Sequence, residues 1–144
     1  MSETAERGTK NWALVEAAKR ARESALAPYS SFRVGAALET EDGKVYTGCN
    51  IESATYGQTM CAERVATWKA ISEGARKFTS VAVVADTESL TPPCGACRQV
   101  LWEFCGDVPV VLANLRGDVE VIQLSDLFPQ PFDARFLKQS DAQT

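Results

Sequence analysis

The sequence predicts an α/β fold, a five-stranded mixed sheet with helices on both faces. Three observations carry this expectation. Segments with helical periodicity alternate with apolar runs of strand length. Two of those runs, Val81 to Ala85 and Val108 to Ala113, are apolar almost without interruption, the pattern of strands covered on both sides. The connectors are short, and several carry Gly, Pro or Asp, so successive elements must pack against one another. At 144 residues, 45% of them hydrophobic, the chain has the length and apolar content of one domain with one core. Residues 1–144 are therefore read as a single domain, with residues 1 to about 10 as a loose tail.

The elements follow in the order α-β-β-α-β-α-β-β. From Asn11, Leu14, Ala18, Ala21 and Ala25 recur at spacings of three and four, which predicts a helix stopped by Pro28. Val34, Ala36 and Leu38 alternate along a first strand. Glu41-Asp42-Gly43-Lys44 predicts a hairpin turn, and a return strand runs from about Lys44 to Asn50. Ile51 to Gln58 is polar and irregular, too long for a turn, the kind of loop that carries sites. Thr59 has the chemistry to cap a second helix, which runs from about Met60 to Gly74. The Val81–Ala85 strand leads to Pro92-Pro93-Cys94-Gly95-Ala96-Cys97 and a third helix ending near Gly106. Two more strands, Val108 to Ala113 and Val119 to Leu124, are joined by Arg116-Gly117-Asp118. Ser125 to Phe128 suits one helical turn before a C-terminal tail.

Composition excludes several functions. The chain contains no histidine, so Ser-His-Asp and Cys-His catalysis are absent and a transition-metal site must be built from thiolate and carboxylate. A net charge of −4 gives no basic face for a phosphate backbone, which argues against a nucleic-acid partner. No apolar run has transmembrane length, and the polar first eight residues do not read as a signal peptide. A cytoplasmic, reducing location is expected, in which the five cysteines stay free thiols available for metal or catalysis.

The chemistry gathers at two places. Cys94 and Cys97 lie three positions apart at a helix start, so both sulfurs reach one ion, but catalytic zinc takes three protein ligands and a water. Cys61-Ala62-Glu63-Arg64 opens the preceding helix. If both helices start at one edge of the sheet, Cys61 becomes the third ligand, and the positive helix ends favour thiolates. Glu63, two positions on, is placed to take a proton from water and pass it on. Three thiolates make an electron-rich centre, and Arg64, together with Arg98, is expected to withdraw charge from the sulfurs. Two other readings compete. Cys-Gly-Ala-Cys also has the form of a redox motif, and Cys49 or Cys105 would complete a structural four-cysteine zinc site.

The same residues resemble a known family. Cys61-Ala62-Glu63 with Pro93-Cys94-Gly95-Ala96-Cys97 is similar to the zinc deaminase signature, with cysteine in place of the usual histidine. More closely, Pro28 to Leu38, Gly48-Cys49-Asn50-Ile51-Glu52, Cys61 to Arg64 and Pro93 to Val100 resemble the small cytidine deaminases of pyrimidine salvage, over about residues 11 to 132. The resemblance implies one Zn²⁺ per subunit on Cys61, Cys94 and Cys97, with Glu63 as catalytic proton shuttle and hydrolysis of the C4 amine of cytidine or 2′-deoxycytidine. It implies Asn50 and Glu52 as ribose readers, the Ala62 backbone on the pyrimidine edge, and Phe32 and Val34 against the nucleoside. It further implies a homotetramer in which Ala54, Tyr56 and Phe132 serve substrate binding across subunits. Asn50 and Glu52 favour a plain ribose over a nucleoside-like antibiotic such as blasticidin S. The chain departs from the family pattern at Ser53, Gln58, Phe128 and Pro131, outside the catalytic set.

Overall fold

A computed structural model describes residues 3–141. Five strands form one sheet: β1 (Val34–Thr40), β2 (Val45–Cys49), β3 (Phe78–Ala85), β4 (Pro109–Ala113) and β5 (Val119–Gln123). Their order is β2-β1-β3-β4-β5, with β3 and β4 parallel and every other pair antiparallel. The helices are α1 (Glu3–Arg22), α2 (Ala62–Ser72), α3 (Gly95–Cys105), α4 (Leu124–Leu127) and α5 (Ala134–Asp141), with one 3₁₀ turn at Tyr56–Gln58.

The sheet is covered on both faces, as expected. On one face α1 packs Leu14, Val15, Ala17 and Ala18 against Ala37, Ala82, Val84 and Val111. On the other, Ala62, Ala66 and Ala70 of α2 and Leu101 of α3 cover Ala36, Leu38, Val81, Val83 and Val110. Two glycines set how close the helices come. A Cβ on Gly35 would lie 1.9 Å from the Ala18 carbonyl oxygen of α1. One on Gly48 would lie 2.5 Å from both the Ala62 carbonyl oxygen and the Ala66 nitrogen of α2. Only glycine admits backbone contacts this close.

Several expected boundaries move. Helix α1 begins at Glu3, so the loose tail expected over residues 1 to about 10 is helical from Glu3 onward, and residues 1 and 2 lie outside the described residues. The residue types there, Glu-Thr-Ala-Glu, suit a helix start, and Lys19, Arg20 and Arg22 suit its last turn. It ends at Arg22, well short of Pro28, in a run of tight turns through Ala25. The N-cap of α2 is Cys61 and not Thr59, whose hydroxyl instead accepts a hydrogen bond from the Ser53 N–H at 3.0 Å. The expected C-terminal tail contains α5. No helix among the described residues is long and apolar enough to cross a membrane.

The topology decides where chemistry can occur. Strands β2 and β3 flank β1 and both run antiparallel to it, so they point the same way. Each is followed by a helix on the same face. The N-termini of α2 and α3 therefore emerge at one edge of the sheet, beside each other.

Candidate active site

Cys61 and Cys94 are the N-caps of α2 and α3, and neither side chain is spent on a capping bond. Cys97 follows in the first turn of α3 and is fully buried. The three sulfurs lie within 4.8 Å of one another, and the Cys61 and Cys94 Sγ atoms are 3.9 Å apart. Tetrahedral zinc with Zn–S bonds of about 2.3 Å calls for sulfurs about 3.8 Å apart, so the donor set and its spacing fit zinc. This is the only such cluster among the described residues. Cys105 ends α3 and packs against the core, and Cys49 is on β2; neither joins the cluster, which disposes of the four-cysteine reading. The third thiol, brought by α2, is unneeded in a redox Cys-x-x-Cys pair.

The sulfurs have different neighbours. Cys61 is held below the ordinary thiol range, first by a hydrogen bond from Cys97 and then by the Arg64 guanidinium. Arg64 Nη2 lies 3.3 Å from Cys61 Sγ. Cys97 is pushed up, by its bond to Cys61 and by burial. The expectation for Arg98 is corrected: its guanidinium binds the carbonyls of Pro93 and Leu127 and no sulfur.

Glu63 is 5% exposed, and burial raises its carboxyl to about 7. Such a group is poised to hold and release a proton near neutrality. It faces a cavity of about 340 Å³ that also takes in Cys61, Ala62, Cys94, Phe32, Val34, Asn50 and Glu52. Asn50 braces the cavity wall: its Oδ1 accepts from Val34 N–H at 2.9 Å and its Nδ2 donates to the Phe32 carbonyl at 2.7 Å. One amide proton and one lone pair remain for a ligand. Glu52 Oε1 accepts from the backbone N–H groups of Tyr29 at 3.0 Å and Ser30 at 3.1 Å, and Oε2 accepts from the Ser30 hydroxyl. The Ser30 hydroxyl bond, then burial against it and the backbone bonds with it, leave the Glu52 carboxyl below its ordinary range.

The structure does not bring Ala54, Tyr56 or Phe132 to this cavity within one chain. Ala54 is exposed. Tyr56 is 75% exposed beside Tyr29 in an adjoining depression, and Phe132, 57% exposed, is tethered to α3 by the Gln99 side chain. Sequence reasoning did not assign Ser30, Thr59, Met60, Val83, Thr91 or Pro92 to the site, and these complete the wall. For Ser30 a signal existed in the Tyr29-Ser30-Ser31 run. Ser31 adopts φ of 60°, uncommon for a non-glycine residue, as the chain turns toward Glu52.

A mixed sheet with a three-thiol cradle and a buried carboxylate at two helix N-termini has the groups that metal-assisted hydrolysis requires. A family model described as the cytidine and deoxycytidylate deaminase zinc-binding region matches residues 9–113. The cytidine deaminase of Sporosarcina psychrophila is 53% identical over 131 residues, covering 90% of this chain and 96% of that one. That of Halalkalibacterium halodurans is 55% identical over 122 residues, covering 84% and 92%. The crystal structure of cytidine deaminase from Burkholderia pseudomallei superposes with a TM-score of 0.82 at 53% identity, covering 84% of this chain and 98% of that chain. The chain belongs to the cytidine deaminase family.

Proposed function

We propose that this protein hydrolyses the C4 amine of cytidine and 2′-deoxycytidine, giving uridine or 2′-deoxyuridine and ammonia, in pyrimidine salvage. The observation that carries the reading is Glu63, 5% exposed, lining the same cavity as Cys61 and Cys94 of the three-thiol cluster. Cys61, Cys94 and Cys97 would hold one zinc ion per subunit. Bound there, zinc supplies the Lewis acidity that makes a water deprotonable near neutral pH.

The protein's own groups do the rest. Glu63 takes a proton from the water and delivers it to ring N3, and the water oxygen forms a bond to C4. Glu63 then carries the second proton to the amine, the C4–N bond breaks, and ammonia leaves. Arg64 draws charge from the thiolates so that they do not quench the centre's acidity. Ala62 offers backbone to the pyrimidine edge, Phe32 and Val34 give apolar contact, and Asn50 and Glu52 orient the sugar hydroxyls. The ionised state of Glu52 suits acceptance from a hydroxyl pair.

A homotetramer whose sites are completed by Ala54, Tyr56 and Phe132 of neighbouring copies is part of this reading. Exposed Tyr56, Phe132 and Phe136 support it, since large aromatics left in water favour association. Residues 1–144 act as one catalytic domain, and the five free thiols suit a cytoplasmic setting. The test is purified zinc-replete protein with cytidine, following absorbance loss and ammonia release, with mass in solution measured alongside. Absence of turnover overturns the activity, and full activity in a monomer overturns the shared site.

A further inference from the structure

We propose that Arg98 is a positioning residue that sets how tightly the three-thiol centre retains its ion, by clamping the ligand Cys94 to the C-terminal segment. The inference rests on the reading that Cys61, Cys94 and Cys97 bind zinc.

Cys94 is the one exposed sulfur of the three. It comes at the end of a loop, residues 86–94, without regular secondary structure. The far end of that loop is well held: Asn114, 1% exposed, donates from Nδ2 to the Thr87 carbonyl at 3.0 Å, and the Thr87 and Thr91 hydroxyls are 2.8 Å apart. At the ligand end Pro92 and Pro93 have no N–H to contribute. Arg98 takes over there. The helix holds one side of Cys94, the Arg98 backbone N–H donating to the Cys94 carbonyl at 2.9 Å as any residue there would, and the Arg98 Nε holds the other, donating to the Pro93 carbonyl at 2.7 Å. Those two carbonyls belong to the peptide planes on either side of the Cys94 Cα. Fixing both planes fixes the Cα–Cβ direction, and so limits the positions the sulfur can reach.

The same guanidinium reaches a third carbonyl. Nη1 donates to Leu127 O at 2.5 Å, and Leu127 ends α4 packed on the core. A planar, rigid fork spans two carbonyls from separate segments, whereas an ammonium would have to choose between them. Gln99, the next residue, makes a different bond, from Nε2 to the Phe132 carbonyl at 2.8 Å, and touches neither plane. Losing a group that orients a metal ligand typically weakens the metal about 10- to 100-fold.

The experiment loads wild type, Arg98→Met, Arg98→Lys and Gln99→Ala with zinc and challenges each with excess chromogenic chelator, well below the unfolding temperature. Arg98→Met is expected to release zinc about tenfold faster or more, Arg98→Lys to fall between it and wild type, and Gln99→Ala to match wild type. Wild-type release from Arg98→Met overturns the clamp. Full rescue by Arg98→Lys also overturns it, because charge and not the two-carbonyl geometry would then be what matters. Should Arg98→Met not accumulate as folded protein, Arg98→Lys decides: faster release at an unchanged thermal midpoint supports the clamp, and unchanged release overturns it. Wild type that takes up no zinc overturns the metal reading and the clamp with it, a result distinct from failure of the clamp alone.

Discussion

Glu52 and Glu63 are carboxylates eleven positions apart that share one cavity, yet their surroundings drive them in opposite directions. Glu63 enters the protein on a helix packed against the sheet, where burial outweighs the bonds from its own backbone N–H and the Cys97 thiol, and its carboxyl is raised to about 7. Glu52 stays on the loop after β2, where Ser30 and the Tyr29 and Ser30 N–H groups supply donors, and its carboxyl is lowered. Where burial outweighs the donors the carboxyl becomes a proton carrier, and where the donors outweigh burial it stays a fixed anion. One residue type thus performs two tasks because the backbone around it differs.

The comparison can be broken most severely at Glu63. Glu63→Gln keeps shape and burial but cannot carry a proton, so kcat should fall by about 10² to 10⁴ with zinc content unchanged. Turnover at the wild-type rate, with metal analysis confirming loading, would remove Glu63 from the mechanism. The same substitution should show in stability. In metal-free protein the folded state keeps a proton on Glu63 between its ordinary 4.5 and about 7, while the unfolded chain releases it. The contribution of Glu63 to stability should therefore be largest below pH 4.5 and decline as pH rises through 7, by about 3 kcal/mol in all. Denaturant titrations across that range should find this slope in wild type and not in Glu63→Gln; equal slopes would contradict the burial argument.

At Glu52 the expected signature is different. Glu52→Gln removes the anion that Ser30 supports, and KM for cytidine should rise about ten- to a hundredfold with kcat nearly kept. A loss confined to kcat would place Glu52 in the chemistry instead of in binding. The smallest effect is expected at Cys105, whose thiol burial alone pushes up to about 12. It shares its cause with Glu63 but lies outside the three-thiol cluster and the lining of the cavity. Cys105→Ala should cost about 1 kcal/mol and leave kcat and KM unchanged; a kinetic change would show that burial outside the cavity still reaches the site.

Much of this was legible in the sequence because it depends on local periodicity. The unbroken apolar runs declared the covered strands, and Gly43, found at φ of 85°, declared the β1–β2 turn. Cys61 and Cys94 could be placed at helix starts because cap positions follow from where helical patterns begin. The errors arose where local rules compete. Thr59 is a good cap by type, but its hydroxyl was taken by Ser53, so the helix waited for Cys61. Arg98 looked like a counter-charge to the sulfurs, but its fork is taken by the Pro93 and Leu127 carbonyls.

By itself, then, the sequence determined the order of elements, the absence of imidazole chemistry, and a donor set of three thiols and one carboxylate. Tertiary structure alone decided that β2 and β3 run the same way, which brings the two helix starts together. It also decided that Asn50 spends part of its amide on the backbone of Phe32 and Val34, and that Glu52 and Glu63 ionise differently. The reason is physical. Periodicity and capping are set by neighbours along the chain, whereas a side chain's partners and its loss of water depend on groups that only folding brings near.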